Sequence, residues 1–145
     1  MNPQKPITYT APIQELFGLH ITQMLGKFLA EEVQLLDIAP LIGGDINEVY
    51  RVDTSQGTYC IKMNDVGKFP NMFEVERKGL ELLKSTNALP VAKFAALGEF
   101  ENKAFLMLEF ETASINVEDF WWAFGAGLAK QHQFSDENFG LDHAN

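Results

Sequence analysis

Apolar residues recur at helical spacing early in the chain, and this pattern predicts a first helix over residues 12–32. Thr10 can cap this helix, and Pro12 suits its first turn. Gly18 and Gly26 lower the helix propensity, so any break would fall near Gly18. The stripe expected to pack into a core consists of Ile13, Leu16, Phe17, Ile21, Met24, Leu25, Phe28 and Leu29.

Shorter apolar runs bounded by turn residues predict five strands and two further helices. The predicted strands are residues 33–42, 49–53, 58–63, 94–100 and 104–110, and the predicted helices are residues 70–84 and 117–134. Asp37 and Pro40 interrupt the first strand, which is typical of a sheet edge. The order of elements predicts an α+β fold, in which a five-stranded antiparallel sheet packs against a helix and is flanked by an N-terminal and a C-terminal helix.

The second predicted helix carries a charged residue on its apolar stripe. Phe73, Glu76, Leu80 and Leu83 follow one another at spacings of 3, 4 and 3, which places them on one side of a helix. A carboxylate left unpaired there would cost about 3–5 kcal/mol, so Glu76 needs a cation. Lys62, in the third predicted strand, is the candidate. A strand lysine paired with a helix glutamate is the arrangement that kinase-like enzymes use to hold ATP phosphates.

This pair favours a functional interpretation of two neighbouring features. Alternation along the third strand places Thr58, Cys60 and Lys62 on one face. Cys60 would then cover an adenine pocket, or it is simply a small buried thiol. Gly43 and Gly44 form a turn whose backbone amides could approach phosphate oxygens, although most Gly-Gly turns are ordinary turns and this signal is weak alone. The turn is not a P-loop, because no Gly-Lys-Ser/Thr follows it.

Composition narrows the possible partners. The 145 residues, 46% of them hydrophobic, suit one ordinary domain or two small lobes. A net charge of −9 disfavours nucleic acid and anionic membranes as partners, and the chain has no apolar run long enough to predict a membrane span. The single cysteine, Cys60, excludes an internal disulfide and fits a cytoplasmic location. The three histidines have no ligand-spaced partners, so no metal site is expected.

At its chemistry-bearing positions the sequence resembles the fructosamine (ketosamine-3-) kinase family, a phosphotransferase branch of the protein-kinase-like fold. The likeness runs from Leu36 to Asn145, in order and with suitable spacing. The residues that carry it are Gly43-Gly44-Asp45-Ile46-Asn47, Lys62-Met63-Asn64, Met72-Phe73-Glu74 with Glu76, Gly79 and Leu80, Leu108-Glu109-Phe110, Gly127-Leu128-Ala129-Lys130-Gln131-His132 and Phe139-Gly140-Leu141-Asp142-His143-Ala144-Asn145.

The resemblance implies an ATP- and magnesium-dependent kinase that phosphorylates a ketoamine, a sugar amine attached to a small molecule or to a glycated protein. It implies a flexible arm over residues 1–11, a kinase-like N-terminal lobe over residues 12–111, and a hinge-following helix that begins a C-terminal lobe over residues 112–145. The cofactor-binding residues it implies are Gly43, Gly44 and Asp45 at the phosphates, Cys60 at the base, Lys62 with Glu76, and Glu109, Phe110 and Glu111 at the hinge.

The sequence departs from the family pattern at two positions. Asp45 stands where many relatives have cysteine, so a redox switch is not supported there. Its carboxylate would oppose the phosphates unless it points away from them. Gln131 replaces the usual leucine.

The chain also lacks the residues that would complete the reaction. A kinase of this type needs a catalytic aspartate followed by an asparagine, and a second metal-binding aspartate. No aspartate here has asparagine five positions later, so we expect no catalytic residue and no metal ligand in this chain. The chain ends where the family's catalytic lobe would begin. We therefore expect no kinase activity from it alone, weak or absent ATP binding, and self-association through the unpartnered face of the last helix.

Two other functions remain open from the sequence. The first is a related small-molecule phosphotransferase of the aminoglycoside or choline kinase type, which substrate trials on a longer version would separate. The second is a standalone, non-enzymatic binding module. A pure scaffold has no obvious use for a paired Lys62 and Glu76.

Overall fold

A computed structural model of the chain describes residues 11–42, 46–113 and 118–137, with residues 11–14 described by their backbone alone. Three helices and five strands lie within these residues. In chain order they are α1 (Ala11–Leu29), β1 (Leu35–Leu41), β2 (Glu48–Thr54), β3 (Gly57–Asp65), α2 (Met72–Ser85), β4 (Phe94–Phe100), β5 (Lys103–Glu109) and α3 (Phe120–Gln131).

The strands form one antiparallel sheet in the order β1-β2-β3-β5-β4. This confirms the predicted α+β fold class, and it leaves β1 and β4 at the two edges. The edge position of β1 explains how the strand accommodates Pro40, which has no amide hydrogen to donate. A register shift between Leu35 and Asp37 also makes the strand pairing at this edge irregular.

The sheet has two different faces, because successive side chains of a strand point in opposite directions. On one face, Tyr59, Ile61 and Met63 of β3 are buried beneath α1. The main hydrophobic core lies between this face and the helix. Its buried members are Phe17, Ile21, Leu25, Tyr50, Val52, Tyr59, Ile61, Met63, Ala95, Ala96, Phe105 and Met107. We call this side of the sheet the α1 face and the opposite side the open face.

α1 runs without a break through Gly18. A Cβ atom at this position would lie 2.5 Å from Cδ2 of Leu35, so the glycine allows the helix to approach β1 closely. The helix ends earlier than predicted, at Leu29, because Ala30 adopts a left-handed conformation with φ of 56°. Part of its predicted stripe is not buried, since Leu16 and Phe28 remain exposed.

The other two helices differ in how much they bury. α2 lies against β4 and β5 and buries Phe73. α3 buries no side chain among the described residues, and its apolar side chains Phe120, Trp121, Phe124 and Leu128 are exposed. It contacts the segment after α2, where Lys130 Nζ donates a hydrogen bond to the Asn87 carbonyl at 3.2 Å. Across the described part of the chain, no helix has the length and apolarity needed to span a bilayer.

Candidate functional site

Lys62 and Glu76 form an ion pair on the open face, as the sequence predicted. Lys62 extends from the middle of β3, and Glu76 lies one turn into α2. The lysine Nζ donates hydrogen bonds to both carboxylate oxygens of Glu76, at 2.7 and 2.9 Å. A lysine ammonium has three N–H donors, so one remains for an anion that approaches from the open side.

The pair is shielded from water but not sealed off. The side chains of Lys62 and Glu76 are 26% and 28% exposed. Partial desolvation strengthens the attraction between the two charges and makes the loss of either partner costly. The remaining exposure leaves a path by which a phosphate group could reach the ammonium. The geometry can therefore hold a fixed positive charge on the open face of the sheet.

A small apolar platform lies beside this charge. The register places Val49 directly opposite Lys62 on β2, and it places Leu108 directly opposite Cys60 on β5. All four residues share the open face. Val49, Cys60 and Leu108 are only partly buried, so they offer a flat surface on which a planar base could lie. Sequence analysis identified Cys60 but assigned neither Val49 nor Leu108 to a platform for the base, because their place depends on cross-strand register.

The environment of Cys60 argues for packing rather than reactivity. Burial raises the pKa of its thiol, the Lys62 ammonium lowers it in part, and the Glu76 carboxylate raises it further. Thiols react as thiolates, so a raised pKa makes Cys60 a poor nucleophile. Its contribution to a site is its small apolar side chain.

The strand exit that follows β5 differs in detail from the expectation for a hinge. The Glu109 amide donates to the Lys93 carbonyl at 2.8 Å, and the Phe110 amide donates to the Thr58 carbonyl at 2.9 Å. Neither amide is therefore available to a base. Glu111 is exposed, and its amide donates to none of the described residues. Of the three predicted hinge residues, Glu111 has the amide best placed to serve a ligand.

The Glu109 side chain points away from the site. It pairs with Lys93 at 2.9 Å, and the register with Tyr59 places it on the α1 side of the sheet. This pairing raises the pKa of Lys93, and burial together with the Glu109 charge raises the pKa of Tyr59. Any contribution of Glu109 to a ligand must come from its backbone.

The start of β2 is anchored on both faces of the sheet. Gly43, Gly44 and Asp45 lie outside the described residues. Just after them, Asn47 Oδ1 accepts a hydrogen bond at 3.2 Å from Nδ2 of Asn64, which is buried on the open face. On the α1 face, Glu48 pairs with the mostly buried Lys103. Asn47 and Glu48 are therefore fixed to β3 and to β5.

Sequence analysis also missed a polar cluster at the other end of the open face. It joins Arg51, Asp53, Thr58 and Phe110 through hydrogen bonds and a ring contact. The signal that could have found it is the alternation of Val49, Arg51 and Asp53 along β2, which places two opposite charges two residues apart on one face.

One feature of the described residues lies apart from the Lys62–Glu76 pair. A cavity of about 290 Å³ lies between the start of α2 and strands β4 and β5, where Phe69, Met72, Phe73 and Leu97 line it. No group of three or more His, Cys, Asp or Glu side chains suited to a metal ion occurs in residues 11–42, 46–113 and 118–137. The candidate site on the open face thus consists of the Lys62–Glu76 ion pair beside the apolar platform.

Comparison with known proteins gives consistent results. A model of the fructosamine kinase family matches residues 18–145. A protein of Vibrio parahaemolyticus named as a probable ketoamine kinase is 34% identical over 127 residues, which cover 86% of this chain and 44% of that protein. A similarly named protein of Vibrio vulnificus is 29% identical over 127 residues, with the same coverage of 86% and 44%.

A solved structure agrees with these sequence relatives. The crystal structure of a protein described as a fructosamine-3-kinase, from Haemophilus somnus, is similar to this chain with a TM-score of 0.77 and 27% sequence identity. The match covers 85% of this chain and 42% of that protein. The chain therefore spans less than half the length of these relatives.

Proposed function

Because the chain belongs to the fructosamine kinase family, we propose that it forms the nucleotide-binding lobe of an ATP-dependent ketoamine kinase. The observation that carries this proposal is the ion pair between Lys62 and Glu76, at 2.7 Å on the open face of the sheet. A lysine held in place by a glutamate, beside a flat apolar platform, suits a phosphate and a base at the same time. The complete enzyme would transfer the terminal phosphoryl group of ATP, with magnesium, to a hydroxyl of a sugar amine on a small molecule or a glycated protein.

Each cofactor-binding residue predicted from the sequence has a defined part in this proposal. Lys62 neutralises phosphate oxygens, and Glu76 keeps the ammonium in position. Cys60 packs against the base, and the backbone of Glu109, Phe110 and Glu111 lies along its edge, with the amide of Glu111 as donor. Gly43, Gly44 and Asp45 belong to the turn that would cover the phosphates. No ligand for the metal is assigned to this chain.

We further propose that residues 12–111 act as the N-terminal lobe and that residues 112–145 begin the second lobe, after an arm of residues 1–11. Phosphoryl transfer requires both lobes, because catalysis depends on positioning and on metal-bound charge stabilisation. The chain has no aspartate with asparagine five positions later. Incubation of the chain with ATP, magnesium and a fructosamine should therefore give no turnover, and measurable turnover would contradict this part of the proposal.

The nucleotide role can be tested on this chain by titration with Mg-ATP, followed in amide NMR spectra. We expect weak binding that shifts the signals of Cys60, Lys62 and Glu76 and leaves the core residue Ile61 of the α1 face less affected. Lys62→Met should abolish these shifts. Lys78→Met is the matched control, because Lys78 is an exposed lysine on α2 and its loss changes the net charge equally. Signals on the open face that do not respond to ATP would refute the nucleotide role.

The exposed face of α3 supports a proposal about assembly. Trp121 and Trp122 are 79% and 76% exposed, and Phe120 stacks on Phe124 at 6.0 Å between ring centroids. Such a patch favours association with a second copy. Sedimentation should show oligomers that Trp121→Glu disperses, and a monomer that binds no apolar dye would contradict this. We also propose a cytoplasmic location, where the single cysteine stays reduced.

A further inference from the structure

Four residues on the open face connect the β2–β3 hairpin to the strand exit after β5. The guanidinium of Arg51 donates to the carboxylate of Asp53 at 3.0 to 3.2 Å. The hydroxyl of Thr58 donates to the same carboxylate at 2.6 Å. The carbon at the centre of the guanidinium lies 5.1 Å from the centroid of the Phe110 ring. The four side chains form a continuous chain of contacts across the sheet.

Thr58 closes this series of contacts, because it bonds both Asp53 and Phe110. Its hydroxyl fixes Asp53, and its carbonyl accepts the hydrogen bond from the Phe110 amide at 2.9 Å. Phe110 is therefore held twice, through its backbone by Thr58 and through its ring by Arg51. The carboxylate of Asp53 orients the planar guanidinium, so that one flat side can cover the ring. We call this set, Arg51, Asp53, Thr58 and Phe110, the exit cluster.

The exit cluster is separate from the hydrophobic core. Its residues lie on the open face, opposite α1, and the side chain of Arg51 is 43% exposed. The register places Arg51 directly opposite Cys60 on β3. The guanidinium contacts the ring of Phe110, which follows β5 on the other side of β3. The cluster thus borders the apolar platform of Val49, Cys60 and Leu108 at the end away from Lys62.

We propose that Arg51 is a positioning residue for the base of the bound nucleotide, which it serves by holding Phe110 against the sheet and so fixing the backbone of Phe110 and Glu111 beside Cys60. This inference rests on the proposed nucleotide-binding function. It separates two tasks on one face, because Lys62 acts on the phosphates and Arg51 acts on the backbone that meets the base. Arg51 does so without contacting the nucleotide itself.

The first test measures hydrogen exchange of backbone amides in the absence of any ligand. Hydrogen exchange of the Phe110 amide, which donates to the Thr58 carbonyl, should become about tenfold faster in Arg51→Met, since a partly exposed ion pair and a cation–π contact are lost together. Exchange at Tyr59 and Ile61 should not change. Arg77→Met is the matched control, because Arg77 also pairs with carboxylates, Glu74 and Glu81, but on the surface of α2.

Conservative variants separate this role from a general effect on folding. Phe110→Tyr keeps an aromatic face for the guanidinium and should retain slow exchange. Phe110→Leu removes the aromatic face and should behave like Arg51→Met. If Arg51→Met and Phe110→Leu both leave the exchange of the amide of residue 110 unchanged, the inference is overturned.

The second test compares a ligand that carries a base with a ligand that has only phosphates. Titrations of the chain with Mg-ATP and with inorganic tripolyphosphate separate base contacts from phosphate contacts. Arg51→Met should weaken ATP several-fold more than tripolyphosphate, whereas Lys62→Met should weaken both. Arg77→Met again controls for the change in net charge.

The outcomes distinguish the inference from the function on which it rests. A wild-type chain that binds neither ligand refutes the proposed function, and the role in base binding falls with it. A wild-type chain that binds both ligands, with Arg51→Met weakening them equally or not at all, refutes the inference alone. Faster exchange in Arg51→Met together with selective loss of ATP affinity supports it.

Discussion

The α1 face and the open face of the sheet are built from alternate residues of the same strands, yet they are held together by different forces. Tyr59, Ile61 and Met63 of β3 pack under α1 in a buried, apolar core. Cys60 and Lys62 lie between them in sequence and face the opposite way, toward polar and charged neighbours. One strand thus supplies both the stability of the fold and the chemistry of the candidate site.

The difference shows how a small lobe can carry charged groups that are partly shielded from water. Hydrophobic burial is non-directional and tolerates many shapes, so it can be concentrated on one face. Ion pairs and hydrogen bonds need defined partners, which the second face obtains from α2, β2 and the exit of β5. Changes on the α1 face should therefore affect stability, and changes on the open face should affect binding more than stability.

The largest effect is expected for Ile61→Ala. Ile61 is fully buried beneath α1, and its truncation should lower the free energy of unfolding by about 2–5 kcal/mol, measured by urea denaturation. Ile61→Val removes one methylene and should cost only about 0.5–1.5 kcal/mol. A loss below 1 kcal/mol for Ile61→Ala would show that this face does not carry the stability of the fold.

A smaller loss of stability is expected for Lys62→Met, the next residue along the strand. It leaves the partly buried carboxylate of Glu76 without its cation, which should cost about 1–3 kcal/mol, since the remaining exposure lets water compensate in part. Adding Glu76→Leu should recover most of this loss, while ATP binding stays abolished. If the double variant is no more stable than Lys62→Met in urea denaturation, the two residues are not coupled.

Two glycines allow the same substitution to be compared at a packed position and at an open one. In Gly98→Ala, the new Cβ atom would lie 2.6 Å from Cζ of Phe105 and 2.8 Å from Cε of Met24, so stability should fall by about 1–3 kcal/mol. In Gly79→Ala, no atom beyond the adjoining residues and backbone of its own helix lies within 4 Å of the new Cβ atom. Because alanine has a higher helix propensity than glycine, this variant should be more stable by about 0.5–1 kcal/mol. Thermal denaturation of both variants would reveal a result of the opposite sign.

The smallest effect concerns the pH dependence of the exit cluster. The hydroxyl of Thr58, and then the guanidinium of Arg51, hold the pKa of the Asp53 carboxyl below its ordinary value of 3.8. A lowered folded-state pKa contributes stability above the unfolded-state value, and this contribution is lost as the pH falls through the folded-state value. An NMR titration of Asp53 should thus show a midpoint below 3.8.

Two variants would sharpen this titration. Thr58→Val and Arg51→Met should each raise the Asp53 midpoint, because each removes a hydrogen bond that lowers the pKa of this carboxyl. Removal of Lys93, which pairs with Glu109, should leave the midpoint unchanged. An Asp53 midpoint at or above 3.8 in the unmodified chain would contradict the observed geometry.

The most reliable sequence signals were those in which a local pattern was interrupted by a charge. Glu76 interrupts the apolar stripe of α2, and Lys62 interrupts an apolar strand, so each required a partner and each is the partner of the other. The edge position of β1 followed in the same way from Pro40. These predictions were confirmed because the cost of an unpaired charge or of a missing amide hydrogen is large and local.

Other features could not be predicted, because they depend on which strands are neighbours. The platform of Val49 and Leu108 around Cys60 exists only when β2, β3 and β5 are paired in one register. The internal use of the Glu109 and Phe110 amides depends on the positions of Lys93 and Thr58.

The sequence alone determined the elements, the alternation of the two faces and the need of Glu76 for Lys62, because periodicity and the cost of an unpaired charge operate over a few residues. Tertiary structure decided which face α1 covers, which backbone amides remain for a ligand, and that Arg51 reaches across β3 to Phe110. These outcomes join residues far apart in the chain, and strand register and helix packing bring them together.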